Sequence, residues 1–180
     1  MSPELIKTLV LGYFAALVIV AALKDISSFT IPNWISIALT LGFAPAALIV
    51  GLTQGPTETL PGIFGAIGIG FAVGLGALVV AAGMFAVGWI GGGDAKLLAA
   101  AALWVGYKDL MGVAPFLLYT CLAGGVLALA LLALRSAWIR PFAEAGPAWT
   151  RRLATPGEAA PYGVAIAVGA LAAFAAHPLV

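Results

Sequence analysis

Charge is the scarcest property of this sequence. Only 8% of its 180 residues are charged, against about 25% in an ordinary soluble domain. With 63% of the side chains hydrophobic, no water-soluble fold of this length can hide so much apolar surface, and a bilayer is the expected solvent. The net charge of +1 leaves no basic footprint, so nucleic acid is excluded as a partner. There is one cysteine, Cys121, which excludes an intramolecular disulfide and a four-cysteine zinc site, and no metal or other cofactor is expected. Set in an apolar run, Cys121 is expected to be a small buried hydrophobe.

What is present in abundance is long apolar runs. Spans of about 17 to 25 apolar residues read as transmembrane helices. The first lies at about Leu5 to Leu23 and is closed by Lys24-Asp25. Its leading segment carries Glu4 beside Lys7, which is not a basic signal-peptide start, so it reads as a retained helix. The second covers about Trp34 to Leu52, entered through Ile31-Pro32-Asn33, where proline suits a helix start. Residues 59–93 hold no charged side chain. That is too long for one upright helix, so the third span, about Pro61 to Val80, is expected to be extended, tilted or broken near Gly83 and Gly88. A short fourth span runs from about Asp94 to Tyr107, a fifth from about Met111 to Leu134, and a sixth from about Pro161 to Pro178. The polar stretch Arg135 to Glu158 contains Pro141, Pro147 and Pro156, which argue against one continuous helix. It is expected along the membrane surface, with Trp138 and Trp149 at headgroup depth. Gly70 and Gly74 form a GxxxG pair suited to close helix packing.

The fold class is therefore all-α, a polytopic membrane bundle of about six helices, with residues 1–180 as one integral-membrane domain. Six crossings put both ends on one side. With the first end outside, Lys24, Lys96, Arg135, Arg140, Arg151 and Arg152 face the cytoplasm, and Lys7 and Lys108 face out. The positive-inside rule selects that orientation.

Ionisable groups at or in a bilayer are costly, so each acid needs a reason. Asp25 follows the first span and Asp94 the third, so both come after an odd number of crossings and lie at one membrane face. Two carboxylates at one depth, partly dehydrated, share a proton, because like charges a few ångströms apart cannot both ionise. Such a pair suits peptide hydrolysis: the ionised member takes a proton from water while the protonated one polarises the carbonyl. The plainer reading of Asp25 is a helix cap beside Ser27 and Ser28. For Asp94 it is the cap of a flexible hinge, since Gly91, Gly92 and Gly93 can adopt positive φ and admit another backbone. No strand precedes these glycines and no GK[ST] follows, so a phosphate loop is excluded.

Asp25 with Ile31-Pro32-Asn33, followed by Gly91-Gly92-Gly93-Asp94-Ala95-Lys96-Leu97, resembles the type IV prepilin peptidase family, the GxGD membrane aspartyl proteases. The short chain and the late Pro161-Tyr162-Gly163 resemble its tight-adherence (Flp) pilus branch. The resemblance implies that Asp25 and Asp94 are the catalytic aspartates. It also implies prepilin or pseudopilin substrates, cut after the glycine that ends a short basic leader, at the cytoplasmic face of the lipid bilayer. Longer family members carry paired CxxC motifs and also N-methylate the new terminus. Here the loop at about Lys24 to Asn33 is short and Cys121 stands alone, so that second activity is not expected.

Lys24 and Lys96 flank the acids and are candidates to hold substrate or bias protonation, although positive-inside topology explains both equally well. Glu158 is a weaker supporting candidate, and His177 reads as an interfacial residue at the outer end of the last span. Two rivals remain in view. A small transporter or channel component would use buried carboxylates for proton or ion coupling, and predicts acids near mid-membrane with a polar path between faces. A purely structural subunit leaves the GGGD turn opposite a second acid unexplained.

Overall fold

A computed structural model of the chain describes residues 2–53, 59–108 and 110–176. Glu58, Asp109, His177 and Pro178 lie outside these residues. Among the described residues there are helices and no strand, which gives the expected all-α architecture.

Helix α1 covers Pro3–Ser28. The Ser2 hydroxyl accepts the Leu5 amide (3.4 Å) at its start, and proline occupies its first turn. The helix does not stop at Lys24-Asp25 but carries Asp25 inside its last turn. The Ser27 and Ser28 hydroxyls donate back to the Lys24 carbonyl (3.2 and 2.7 Å), which supports this polar final turn. It ends at Phe29, a left-handed residue (φ 54°) whose amide donates to the Asp25 carbonyl (2.8 Å).

Helix α2 (Asn33–Thr53) follows the Ile31-Pro32 turn. Helix α3 (Leu60–Ala86) begins with the Thr59 hydroxyl accepting the Gly62 amide (3.3 Å). Within residues 59–93 the helix is both extended and then broken as expected: α3 runs 27 residues, passes through Gly83, and ends just before the left-handed Gly88 (φ 77°). Helix α4 (Gly92–Val105) has 14 residues. A single turn at Leu110–Gly112 leads into α5 (Val113–Leu134). The segment beyond it forms two short helices, α6 (Arg140–Glu144) and α7 (Ala148–Ala154), separated near Pro147 as its prolines require. Trp138 and Trp149, the two tryptophans expected at headgroup depth, are 88% and 45% exposed. Helix α8 (Tyr162–Ala176) closes the described chain.

Four stretches are long and apolar enough to cross a membrane: α1, α2, α3 and the run Leu110–Leu134. The other two bundle helices are shorter. At 1.5 Å per residue, the 14 residues of α4 reach about 21 Å. That is less than the roughly 30 Å hydrocarbon core. Helix α4 needs no lipid contact, because it sits at the centre and packs against α2, α3, α5 and α8. Its alanines 99–102 are buried on every side, where small residues let neighbouring backbones approach. Trp104 anchors its far half, packed tilted or edge-on among Phe14, Phe43 and Phe174, with its indole donating to the Leu39 carbonyl (3.0 Å). The GxxxG expectation holds in detail. A Cβ at Gly74 would stand 2.7 Å from the Leu103 side chain and 3.2 Å from the Ala99 carbonyl oxygen, so α3 lies close against the α4 backbone there.

Cys121 departs from expectation, since it is exposed on α5 rather than buried. In a bilayer the lipid-facing surface is as apolar as the core, so an apolar setting in sequence does not separate the two.

Helices α1 to α5 and α8 alternate in direction. One end of the bundle therefore gathers the C-termini of α1, α3 and α5 with the N-termini of α2, α4 and α8. That end holds Asp25, Asp94, the α6–α7 segment and six of the basic residues.

Candidate active site

Three chain segments far apart in sequence build the site: the last turn of α1, the first turn of α4 and the first turn of α8. Asp25 is 5% exposed, and its Oδ2 accepts the main-chain amide of Gly163 at 2.7 Å. That amide belongs to the first turn of α8, where helix N–H groups have no partner within their own helix. Asp25 therefore satisfies the start of α8 from across the bundle, and does not cap its own helix.

Asp94 is the third residue of α4, and its Oδ2 accepts the Gly91 amide at 3.2 Å. This is the acidic half of a capping box, favoured by the positive end of the helix dipole. Its other oxygen, Oδ1, is buried and has no hydrogen-bond partner among the described residues. Ile31 packs against both Gly163 and Gly93, so the first turns of α8 and α4, and with them Asp25 and Asp94, meet at one place. The two acids expected at one face are thus brought into a single cluster, half-buried on the Asp94 side and closed on the Asp25 side. Among the described residues no cation forms an ion pair with either of them.

The glycines before Asp94 act by close approach rather than by unusual backbone angles. Positive φ among the described glycines occurs at Gly88 and Gly157, not at Gly91, Gly92 or Gly93. A Cβ on Gly93 would stand 3.2 Å from Ile31 Cβ and 3.5 Å from its amide nitrogen, so the GGGD turn lies directly against the Ile31-Pro32 turn. Gly92 faces Phe85 at ordinary contact distance. A Cβ on Gly91 would meet Asp94 Oδ2 at 2.9 Å, crowding the capping carboxylate.

Lys96 donates to Asn33 Oδ1 (2.9 Å), tying the first turn of α4 to the start of α2. Two residues along a helix correspond to about 200° of rotation, so Lys96 points away from Asp94. Its structural partner is the turn after Pro32, not the acid pair. Lys24 is exposed. Glu158 contributes its carbonyl, which accepts from Arg135 (2.9 Å), while the same guanidinium holds the Leu153 carbonyl (2.9 Å). This clamp fixes the chain just ahead of Pro161. Helix α7 lies against the end of α1, with the Arg152 guanidinium 4.6 Å from the centre of the Phe29 ring.

Gly163 is the component that reading side chains could not supply, because it acts through its amide. A Cβ there would meet Asp25 Oδ2 at 2.8 Å and Ile31 Cδ1 at 2.7 Å. In the sequence it shows only as the last residue of Pro161-Tyr162-Gly163, without its role.

Membrane-length helices arranged as an all-α bundle, with paired carboxylates at one end, define a multi-pass membrane protein with an acid-pair site. The profile of the type IV leader peptidase family matches residues 12–129, and the chain belongs to that family. The matched region contains both aspartates and the Ile31-Pro32-Asn33 turn. No curated protein and no solved structure matches the chain.

Proposed function

We infer that this peptidase is an aspartic endopeptidase that removes the leader from type IV, Flp-like prepilins at the cytoplasmic face of the bacterial inner membrane. Asp25 and Asp94 are its catalytic pair. The observation that carries the reading is that the ends of α1, α4 and α8 bring both acids to one place at one end of the bundle, around Ile31 and the Gly163 amide.

Two carboxylates this close favour a state with one proton between them. The unpartnered Asp94 Oδ1 is where that proton, or the attacking water, completes the cluster. The ionised carboxylate takes a proton from water as its oxygen attacks the scissile carbonyl carbon, and the protonated carboxyl donates to the carbonyl oxygen. The resulting gem-diol collapses with transfer of a proton to the leaving nitrogen. The C–N bond breaks, releasing leader acid and pilin amine and restoring one proton to the pair. This chemistry needs no metal. Among the described residues no three His, Cys, Asp or Glu side chains come together.

The orientation rests on the basic residues gathered at the site end, Lys24, Lys96, Arg135, Arg140, Arg151 and Arg152, set against Lys7 and Lys108 at the other. The transporter reading is the weaker one. Among the described residues the buried charged side chain is Asp25, at one end of the bundle, whereas proton coupling calls for acids near mid-membrane. Processing of an Flp-type prepilin, compared with an archaeal preflagellin, tests the substrate assignment. Cleavage of the preflagellin alone would overturn the Flp assignment.

A further inference from the structure

We propose that Gly163 is a positioning residue for the acid pair: its main-chain amide holds the Asp25 carboxylate in its working place, and only a residue without a side chain fits there. This rests on the reading of Asp25 and Asp94 as the catalytic pair and extends it beyond the two acids.

Three observations carry it. The contact is short and buried, 2.7 Å between residues 138 apart in sequence, so it fixes α8 against α1 at the site itself. The amide also lies beside the turn that carries Asp94, because Ile31 packs against Gly163 through its Cδ1 and against Gly93 through its Cβ. The space is closed as well: an added Cβ would stand 2.8 Å from Asp25 Oδ2 and 3.1 Å from its Cγ. Contacts under 3 Å force something to shift, and here the nearest polar atom is the proposed catalytic oxygen.

The surroundings keep the amide in place. Pro161, fully buried, begins the turn, and the Val164 amide is already committed to the Pro161 carbonyl (3.2 Å). The Tyr162 amide donates to the Ala160 carbonyl (2.9 Å), which leaves the Gly163 N–H directed at Asp25. Upstream, Arg135 grips the Glu158 carbonyl. The chain entering α8 is thereby anchored to the end of α5.

A simpler role is helix capping, in which Asp25 merely stabilises the start of α8. Capping would show in the amount and stability of folded protein. Positioning shows in turnover.

The test uses the full chain in bicelles with a purified prepilin, measuring kcat, KM and thermal stability for Gly163→Ala. A carboxylate displaced by about 1 Å loses on the order of 100-fold in rate. The expected result is that loss in kcat, with KM close to that of the wild type. Gly125→Ala is the control, since nothing lies within 4 Å of a Cβ there; it should leave kcat unchanged. Ile31→Val removes the methyl that an alanine at 163 would strike at 2.7 Å. It separates packing from positioning: Ile31→Val/Gly163→Ala should stay as impaired as Gly163→Ala. Restored turnover in that double variant, or wild-type kcat in Gly163→Ala, overturns the proposal. Should Gly163→Ala fail to accumulate, glycolic acid at 163 replaces the N–H by an ester oxygen without adding a side chain. That ester should lower kcat at least about tenfold, one missing hydrogen bond to a charged group, and full activity would overturn the proposal. Asp25→Asn, run alongside, distinguishes the two levels. If it cleaves, the acid-pair reading fails and takes this inference with it. If it is dead while Gly163→Ala is fully active, only this inference fails.

Discussion

Asp25→Glu keeps the carboxylate and its charge and changes only where the carboxylate sits. The extra methylene must enter a site that is 5% exposed, bounded by the Gly163 amide 2.7 Å from Oδ2. Ile31 closes another side and makes contact with Gly93 of the opposing turn. The longer side chain cannot extend straight through the start of α8. It has to fold back, carrying the carboxylate about an ångström from its place and away from the Gly163 amide. Misplacement on that scale costs about 100-fold in rate, equivalent to about 2.7 kcal/mol of barrier. The assay is single-turnover cleavage of a purified prepilin by protein in bicelles, quantified by gel shift of the pilin. Circular dichroism and thermal denaturation check that the bundle is intact. Activity within threefold of the wild type would refute the claim that the site requires this geometry. A similar loss is expected for Asp94→Glu, whose Oδ2 is bound by Gly91 (3.2 Å).

Topology reporters fused at Ser28 and Ala148 should read as cytoplasmic, and those at Thr53 and Gly112 as periplasmic; a reversed pattern would remove the site from the cytoplasmic face. Cleavage should survive EDTA, need no S-adenosylmethionine and leave an unmethylated pilin N-terminus. Loss of activity to the chelator with rescue by zinc would contradict the acid-pair chemistry. Lys96→Met and Asn33→Ala break the same 2.9 Å bond, so their effects on thermal stability should not add in the double variant, and additivity would mean the bond does not form. Gly74→Val should lower thermal stability through overpacking against Leu103, a cost of about 1 to 3 kcal/mol. Gly65→Val should spare it, because a Cβ at Gly65 meets nothing within 4 Å.

The bundle was legible because bilayer-spanning helices announce themselves by length and hydropathy, and the acid pair because each costly charge follows an odd number of crossings. Boundaries were less legible. Lys24-Asp25 looks like a helix end, yet α1 continues through it to Ser28, since serine hydroxyls supply local bonds that hydropathy does not register. The glycines at 91 to 93 point to the site, but the use of Gly93 is close approach to Ile31 rather than left-handed backbone, which depends on a neighbour 62 residues away in sequence. Lys96 sits beside Asp94 in the chain and faces Asn33 in space, a consequence of helical rotation. Cys121 reads as buried in the sequence and is exposed in the fold, because core and lipid face are equally apolar. Pro161-Tyr162-Gly163 stands out in the sequence, but the use of Gly163 does not: its contribution is an N–H that every residue except proline possesses, and the closed space around Asp25 shows why a glycine stands there.

Co-expression of the chain with an Flp-type prepilin, followed by intact-mass measurement of the pilin, tests the central claim most directly. Asparagine at position 25 can still accept the Gly163 amide, so Asp25→Asn should insert and accumulate while losing its part in proton transfer. Asp94→Asn should behave alike, and the double variant should be no worse than either single, because residues acting as a unit are not additive. Glu4→Gln, about 31 Å along α1 from Asp25 at 1.5 Å per residue, serves as the control. The account predicts a leader-shortened pilin mass with wild type and Glu4→Gln, and the full precursor mass with Asp25→Asn, Asp94→Asn and the double variant. A shortened pilin produced by either asparagine variant would contradict it.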